Sequence, residues 1–139
     1  MTKDAFDFER FMKTRAAAAQ AYVQGESAPL EEIVTRKSPA SFFGPQGGHH
    51  EGAQAVSSTY THDAEAFEPG GESHFVILDQ SVSNGVAYWV GFQRAKVKMR
   101  GRAEPIAMDL RVTELFRREG EEWKLVHRHA DSMVETKSK

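Results

Sequence analysis

An α+β domain, three helices followed by four long antiparallel strands, is the fold this sequence predicts. Three observations carry that reading. Apolar residues recur at helical spacing in the first half of the chain. After Glu72 they fall instead in long strand-like runs. Between two of those runs stands Asn84-Gly85, the dipeptide suited to a tight hairpin whose two central residues need positive φ. Helices and strands segregated along the chain point to α+β and away from an alternating parallel α/β fold.

The elements follow in order. A first helix is predicted from about Asp4 to Gln24, where Phe8, Phe11, Met12, Ala16, Ala19, Tyr22 and Val23 share helical spacing. The run Ala16 to Ala19 favours helix, and Gly25 supplies a stop. Ser27 then caps a short second helix with Pro29, Glu31 and Glu32 in its first turn, burying Leu30, Ile33 and Val34. Ser38 to Glu51 is rich in glycine and proline and reads as loop, with Ser41-Phe42-Phe43 a short strand or wall. A third helix is expected from Gly52 to Phe67, with Val56, Tyr60, Ala64 and Phe67 on one face and Pro69-Gly70-Gly71 ending it. The strands are expected at His74–Val82, Val86–Met99, Asp109–Arg117 and Trp123–Asp131. The turns at Gly101–Pro105 and Arg118–Glu122 separate the last three.

Composition narrows the function classes. At 139 residues the chain suits a single domain, 1–139, with one core. The charged fraction of 27% and the absence of any long apolar run exclude a disordered tail and a spanning helix. A net charge of -2 without a basic cluster argues against general nucleic-acid binding. The acidic start Met1 to Asp7 does not read as a secretory leader. With no cysteine, disulfides, thiol catalysis and thiolate metal sites are excluded, and a cytoplasmic location is expected.

The element order, with Phe42-Phe43-Gly44-Pro45, Arg111-Val112-Thr113 and the terminal Gly120-Glu121-Glu122-Trp123-Lys124-Leu125-Val126-His127-Arg128-His129-Ala130-Asp131, resembles the SnoaL-like group of the NTF2-like superfamily, to which ketosteroid isomerases belong. The resemblance implies a cone: three N-terminal helices packed on a strongly curved antiparallel sheet, open at one end. It also implies a homodimer. It does not select an activity, because that superfamily hosts isomerases, dehydratases, cyclases and non-catalytic binders on one scaffold.

The terminal hairpin carries most of the candidate chemistry. Strict alternation puts Trp123, Leu125, His127, His129 and Asp131 on one face, and Lys124, Val126, Arg128 and Ala130 on the other. His129 with Asp131 is the candidate catalytic pair, because a histidine titrates near neutrality and an acid beside it fixes its tautomer. The competing reading is that His127 and His129 bond across the sheet or sit at a subunit contact. Arg111 and Arg128, if adjacent inside the cone, would hold a carboxylate; alternatively they are exposed and balance Asp109, Glu114 and Glu135. Tyr22, Phe43, Tyr60 and Trp89, with Arg111, His127 and Arg128, complete the expected ligand pocket, and His49, His50 and Glu51 a lip or a solvated loop. No metal is expected, since no third ligand accompanies the paired histidines, and no cofactor is expected either. Two functions therefore compete. One is a small-molecule-binding cone for a mostly apolar ligand with a polar or acidic group, a candidate isomerase, dehydratase or cyclase working by acid–base chemistry. The other is a non-enzymatic association or ligand-sensing domain.

Overall fold

A computed structural model describes residues 2–134 of the chain; Glu135, one of the acids considered above, lies outside them. The element order is α1 (Lys3–Tyr22), α2 (Ala28–Ile33), β1 (Ser41–Phe43), β2 (His49–Glu51), α3 (Ala53–Ala64), β3 (Phe67–Ser83), β4 (Val86–Met99), β5 (Ile106–Glu119) and β6 (Glu122–Ser132). One six-stranded sheet runs in the order β2-β1-β6-β5-β4-β3. The three helices and four long strands expected from the sequence are present. Residues 41–51 add a two-stranded hairpin, whose β1 lies parallel to β6 with Phe43 beside His129. The helices cover one face of the sheet and make an α+β cone. Among the described residues no helix is long and apolar enough to cross a membrane.

α1 forms where the apolar period lies. Thr2 caps it by accepting the Ala5 N–H at 3.1 Å, satisfying one of the donors a helix start leaves free. Phe8, Met12, Ala18 and Ala19 are buried at helical spacing, and Arg15 is buried among them. Phe8 packs against Phe116 and Trp123, with ring centroids 5.3 and 5.4 Å away. Those rings join the end of the hairpin to the first helix.

Two boundaries differ from the sequence expectation, for one reason. The third helix stops at Ala64, and Phe67 already pairs with Met99 in the sheet. Pro69-Gly70-Gly71 does not end a helix; it is an irregularity inside β3, between the Glu68 and Glu72 pairings. A Cβ on Gly71 would stand 2.6 Å from the Val23 carbonyl oxygen. The glycine lets the end of α1 rest directly on the strand, where Gln20 and Gln24 donate to the Gly71 carbonyl and Gln20 accepts from the Ser73 N–H. Asn84 and Gly85 take φ of 50° and 78°, as the hairpin requires.

A second irregularity decides the site. Leu115 pairs with His127, but Phe116 pairs with Leu125, so Val126 is an extra residue in β6. Such a bulge bends the strand and breaks its alternation. Trp123 and Leu125 face the helices, and beyond the bulge Arg128 and Ala130 do so too. Strict alternation had grouped His127, His129 and Asp131 with Trp123. The bulge turns these three to the outer face.

Trp123 is 4% exposed within the Phe8 and Phe116 cluster. Trp123→Ala should therefore cost about 3–5 kcal/mol, the range for deleting a buried aromatic ring. Urea unfolding would read this as a large fall in midpoint. A change under about 0.5 kcal/mol, usual for surface sites, would contradict the packing.

Candidate functional site

The interior of the cone is organised around one carboxylate. Glu114 lies on the apolar face of β5 between Val112 and Phe116, and it is fully buried. Arg15 of α1 holds it through two hydrogen bonds, Nε to Oε1 at 2.8 Å and Nη2 to Oε2 at 2.7 Å. Arg128 of β6 donates Nη1 to Oε2 at 2.6 Å, and Trp89 of β4 donates its indole N–H to Oε1 at 2.8 Å. Arg128 also donates to Gln93 Oε1 at 2.7 Å, and Gln93 in turn donates to Ser73. Burial by itself would push the Glu114 pKa up. The charges of Arg15 and Arg128 and their hydrogen bonds outweigh burial and hold it at about 2. Burial likewise opposes the charge on Arg15, and Glu114 more than compensates, raising that pKa.

Arg128 connects this cluster to a cleft. The cleft measures about 820 Å³, is mostly apolar, and opens between the ends of α1 and α3 and the adjoining ends of β3, β4 and β5. Tyr22, Phe42, Phe67, Met99, Met108 and Leu110 form its walls, Arg128 lies at its inner side, and Gln46, His62, Asp63, Glu65 and Arg100 stand around the mouth. Tyr22 donates its hydroxyl to the Tyr60 carbonyl at 2.8 Å. Tyr60 is buried behind Phe42, ring centroids 4.7 Å apart. Burial raises the pKa of both tyrosines, so both stay protonated at neutral pH.

The structure separates the residues singled out from the sequence. Tyr22 and Arg128 line the cleft, and Tyr60 lies just behind its wall. Trp89 is fully buried beneath Phe75, centroids 4.5 Å apart, and holds Glu114 without reaching the cleft. Phe43, Arg111, His127, His129 and Asp131 are outside the cone. The cause is the Val126 bulge for the β6 residues and alternation for Arg111 and Phe43, whose neighbours Val112 and Phe42 point inward. Arg111 and Arg128 are therefore on opposite faces and do not form a pair. Arg111 makes a two-pronged bond to Asp131, at 2.6 and 2.8 Å. His127 Nδ1 shares a 2.7 Å hydrogen bond with Ser41 Oγ, and the Phe43 ring lies edge-on to His127 and His129 at 4.9 and 5.5 Å. Burial, then the neighbouring His129, pushes the His127 pKa down. His129 Nε2 is 3.8 Å from Asp131. His50 stacks on Phe42 at the lip. No group of three metal-ligating side chains is assembled among the described residues.

Glu114, Arg15 and Gln93 are the interior residues that the sequence expectation did not bring together. Their signal was present: Arg15 sits on the apolar stripe with Phe8 and Met12, and Glu114 on the apolar face with Val112 and Phe116. Opposite charges placed on two surfaces that must pack together mark a buried ion pair.

Glu114→Gln leaves two buried guanidiniums facing a neutral amide. A loss of about 3–5 kcal/mol is expected, as for breaking a buried pair. The acid limb gives a second measure. The folded pKa of about 2 lies below the ordinary 4.5. The stabilisation is thus complete above about pH 4.5 and is lost as pH falls through 2. The difference in urea midpoint between parent and Glu114→Gln should shrink steadily from pH 5 to pH 2. A constant difference would remove the ion-pair account.

Three solved structures resemble this fold. An NTF2-like superfamily protein of Salmonella enterica serovar Typhimurium aligns with a TM-score of 0.76 at 13% identity, over 98% of this chain and 96% of that one. A protein of the NTF2-like family from Streptomyces avermitilis, provisionally named a dehydratase, gives 0.75 at 19% identity, over 96% and 100%. A Thiobacillus denitrificans protein, provisionally named a calcium/calmodulin-dependent protein kinase type II association domain, gives 0.67 at 15%, over 88% and 92%. At such identities these likenesses concern the fold. No functionally curated protein matches the sequence. The family model described as SnoaL-like domain matches residues 12–135, a span that includes Arg15, Glu114 and Arg128, and the chain belongs to that family.

Proposed function

We propose that the cone binds one small, mostly apolar molecule carrying a polar or acidic group, with Arg128 meeting that group. The observation that carries this reading is the position of Arg128. It is anchored at Glu114 and Gln93, yet it lines the inner side of a mostly apolar cleft large enough for a drug-sized ligand. An arginine fixed by its own partners recognises an acceptor without first paying the entropy of being ordered.

Acid–base catalysis in this cleft would draw its base from the mouth. Glu114 is a poor base, with its oxygens already accepting four hydrogen bonds and its pKa held near 2. His62 and Asp63 line the cleft and stand where a proton acceptor could reach a bound molecule. The Streptomyces avermitilis relative's name, a dehydratase, is compatible with that arrangement. The displaced pair His129 and Asp131 faces the opposite side of the sheet.

The outer face supports the expected homodimer. Val76, Leu78, Val86 and Leu115 are exposed there, Leu78 to 64%, beside the Arg111–Asp131 pair. Exposed apolar residues on one sheet face, with charges beside them, suit a second copy.

Two measurements test these readings. Nile red, an uncharged apolar dye, should brighten on the parent protein, and Met108→Trp, which fills the cleft, should weaken its binding about tenfold or more. Parent protein that leaves the dye dark would remove the binding reading. Light scattering at micromolar concentration should give about twice the 15.5 kDa chain mass. Leu78→Lys with Leu115→Lys should give a monomer that still takes up the dye. A parent monomer would exclude the dimer.

A further inference from the structure

We infer that the inner end of the cone holds a seat for a single carboxylate, formed by Arg15, Tyr60 and Arg128, so that the bound molecule is a monocarboxylic acid with an apolar body. The inference rests on the cleft being the binding site, as proposed above.

Of four buried donors without a hydrogen-bond partner among the described residues, two, on Arg15 and Tyr60, lie beside this cluster. Arg15 and Tyr60 are each 2% exposed, and neither Arg15 Nη1 nor the Tyr60 hydroxyl is hydrogen-bonded among the described residues. Unpaired polar atoms are costly inside a protein, and each one calls for an explanation. The side-chain acceptors of the Glu114 cluster are already engaged. Both Glu114 oxygens are engaged by Arg15, Arg128 and Trp89, and Gln93 Oε1 is taken by Arg128. What this cluster has left to offer is chiefly donors. Its missing partner is an acceptor.

Charge specifies the acceptor further. Two guanidiniums face one carboxylate, so the buried cluster carries one uncompensated positive charge. One negative charge neutralises it; a dianion overshoots and an amine adds to the imbalance. The Tyr60 hydroxyl lies within the fields of Arg128, Glu114 and Arg15. Its raised pKa keeps its proton in place for donation. Arg128 has five N–H groups and spends two on Glu114 and Gln93. A carboxylate, with two oxygens and several lone pairs, has the capacity for donors from all three residues, Arg128 lining the cleft and Tyr60 and Arg15 lying behind its wall. The apolar body then lies along Met99, Met108 and Leu110 toward the mouth.

The test is a charge series on the intact protein. Octanoate and 4-phenylbutyrate are compared by thermal shift and calorimetry with their primary amides, with octylamine and with Nile red. The acids should raise the melting temperature by an amount growing with the logarithm of concentration. Their amides should bind about tenfold more weakly or worse, the scale expected for hydrogen bonds to a charged group, and octylamine should not bind. Tyr60→Phe keeps the ring and removes one donor, so it should narrow the acid-to-amide affinity ratio by about tenfold. Arg128→Met should abolish the preference. Circular dichroism checks that each variant folds, and the parent series decides alone if one does not. Acids no tighter than amides, or an unchanged ratio in folded Tyr60→Phe, would mean that water satisfies these donors; the carboxylate seat is then wrong while dye binding upholds the cleft. If neither acids, amides nor the dye bind, both readings fall.

Discussion

Four elements of this fold meet at one side chain. Glu114 stands in the middle of β5 with no access to solvent. Arg15 reaches it from α1, Trp89 from β4 and Arg128 from β6. A carboxylate there is tolerable only because every donor arrives together; with any of them displaced, the desolvation of the charge is no longer offset. The ion pair therefore fixes the depth and roll of α1 over the sheet far more strictly than apolar packing would. Apolar surfaces slide at low cost, whereas a two-pronged guanidinium–carboxylate contact has one geometry.

The same contact shapes the cleft. Because Arg15 takes both Glu114 oxygens from the helix side, Arg128 is left free to share one of them and turn its remaining face toward the opening. The aromatic cluster of Phe8, Phe116 and Trp123 closes the opposite end of the cone. Closed by rings at one end and bounded by a charged cluster midway, the interior leaves room only near the ends of α1 and α3. The outer face is a separate surface with its own arrangement of His127, His129, Arg111 and Asp131.

Much of this was legible in the residues. Helical and strand periods, the Asn84-Gly85 turn and the resemblance of the terminal strand gave the element order and the cone. Strand alternation puts Leu110, Val112 and Phe116 of β5 on one face, the buried one, whereas Glu114, which shares their parity, reads in the sequence only as an acid balancing exposed arginines. Ser41-Phe42-Phe43 was legible as a short strand, but its partner His49–Glu51 was hidden in the expected loop, because its pairing with β1 is set by tertiary contact and three residues are too few for a period to show. The candidate site suffered more. Alternation is a local rule, and the Val126 bulge is fixed by how β6 must pair with β5, which no window of sequence reveals. His127 looked like part of a pocket for that reason. Arg111 and Arg128 looked like neighbours on one wall because sequence does not give the register that sets Arg128 across from Glu114 and Arg111 across from Asp131. Phe43 lost its place to Phe42 because β1 joined the sheet edge in a register that sequence did not specify.

The extra residue in β6 also bears on how this chain should be compared with others. Removing Val126 would restore plain alternation: Leu125 inward, His127 outward, Arg128 inward, as they already are. The strand can therefore differ by one residue at this point between homologues while the same side chains keep the same surroundings. Insertions and deletions are ordinarily confined to loops when sequences are aligned. Here an alignment that forbids a gap within the final strand would shift the His-Arg-His segment by one place, matching the interior arginine of one protein with an exterior histidine of another.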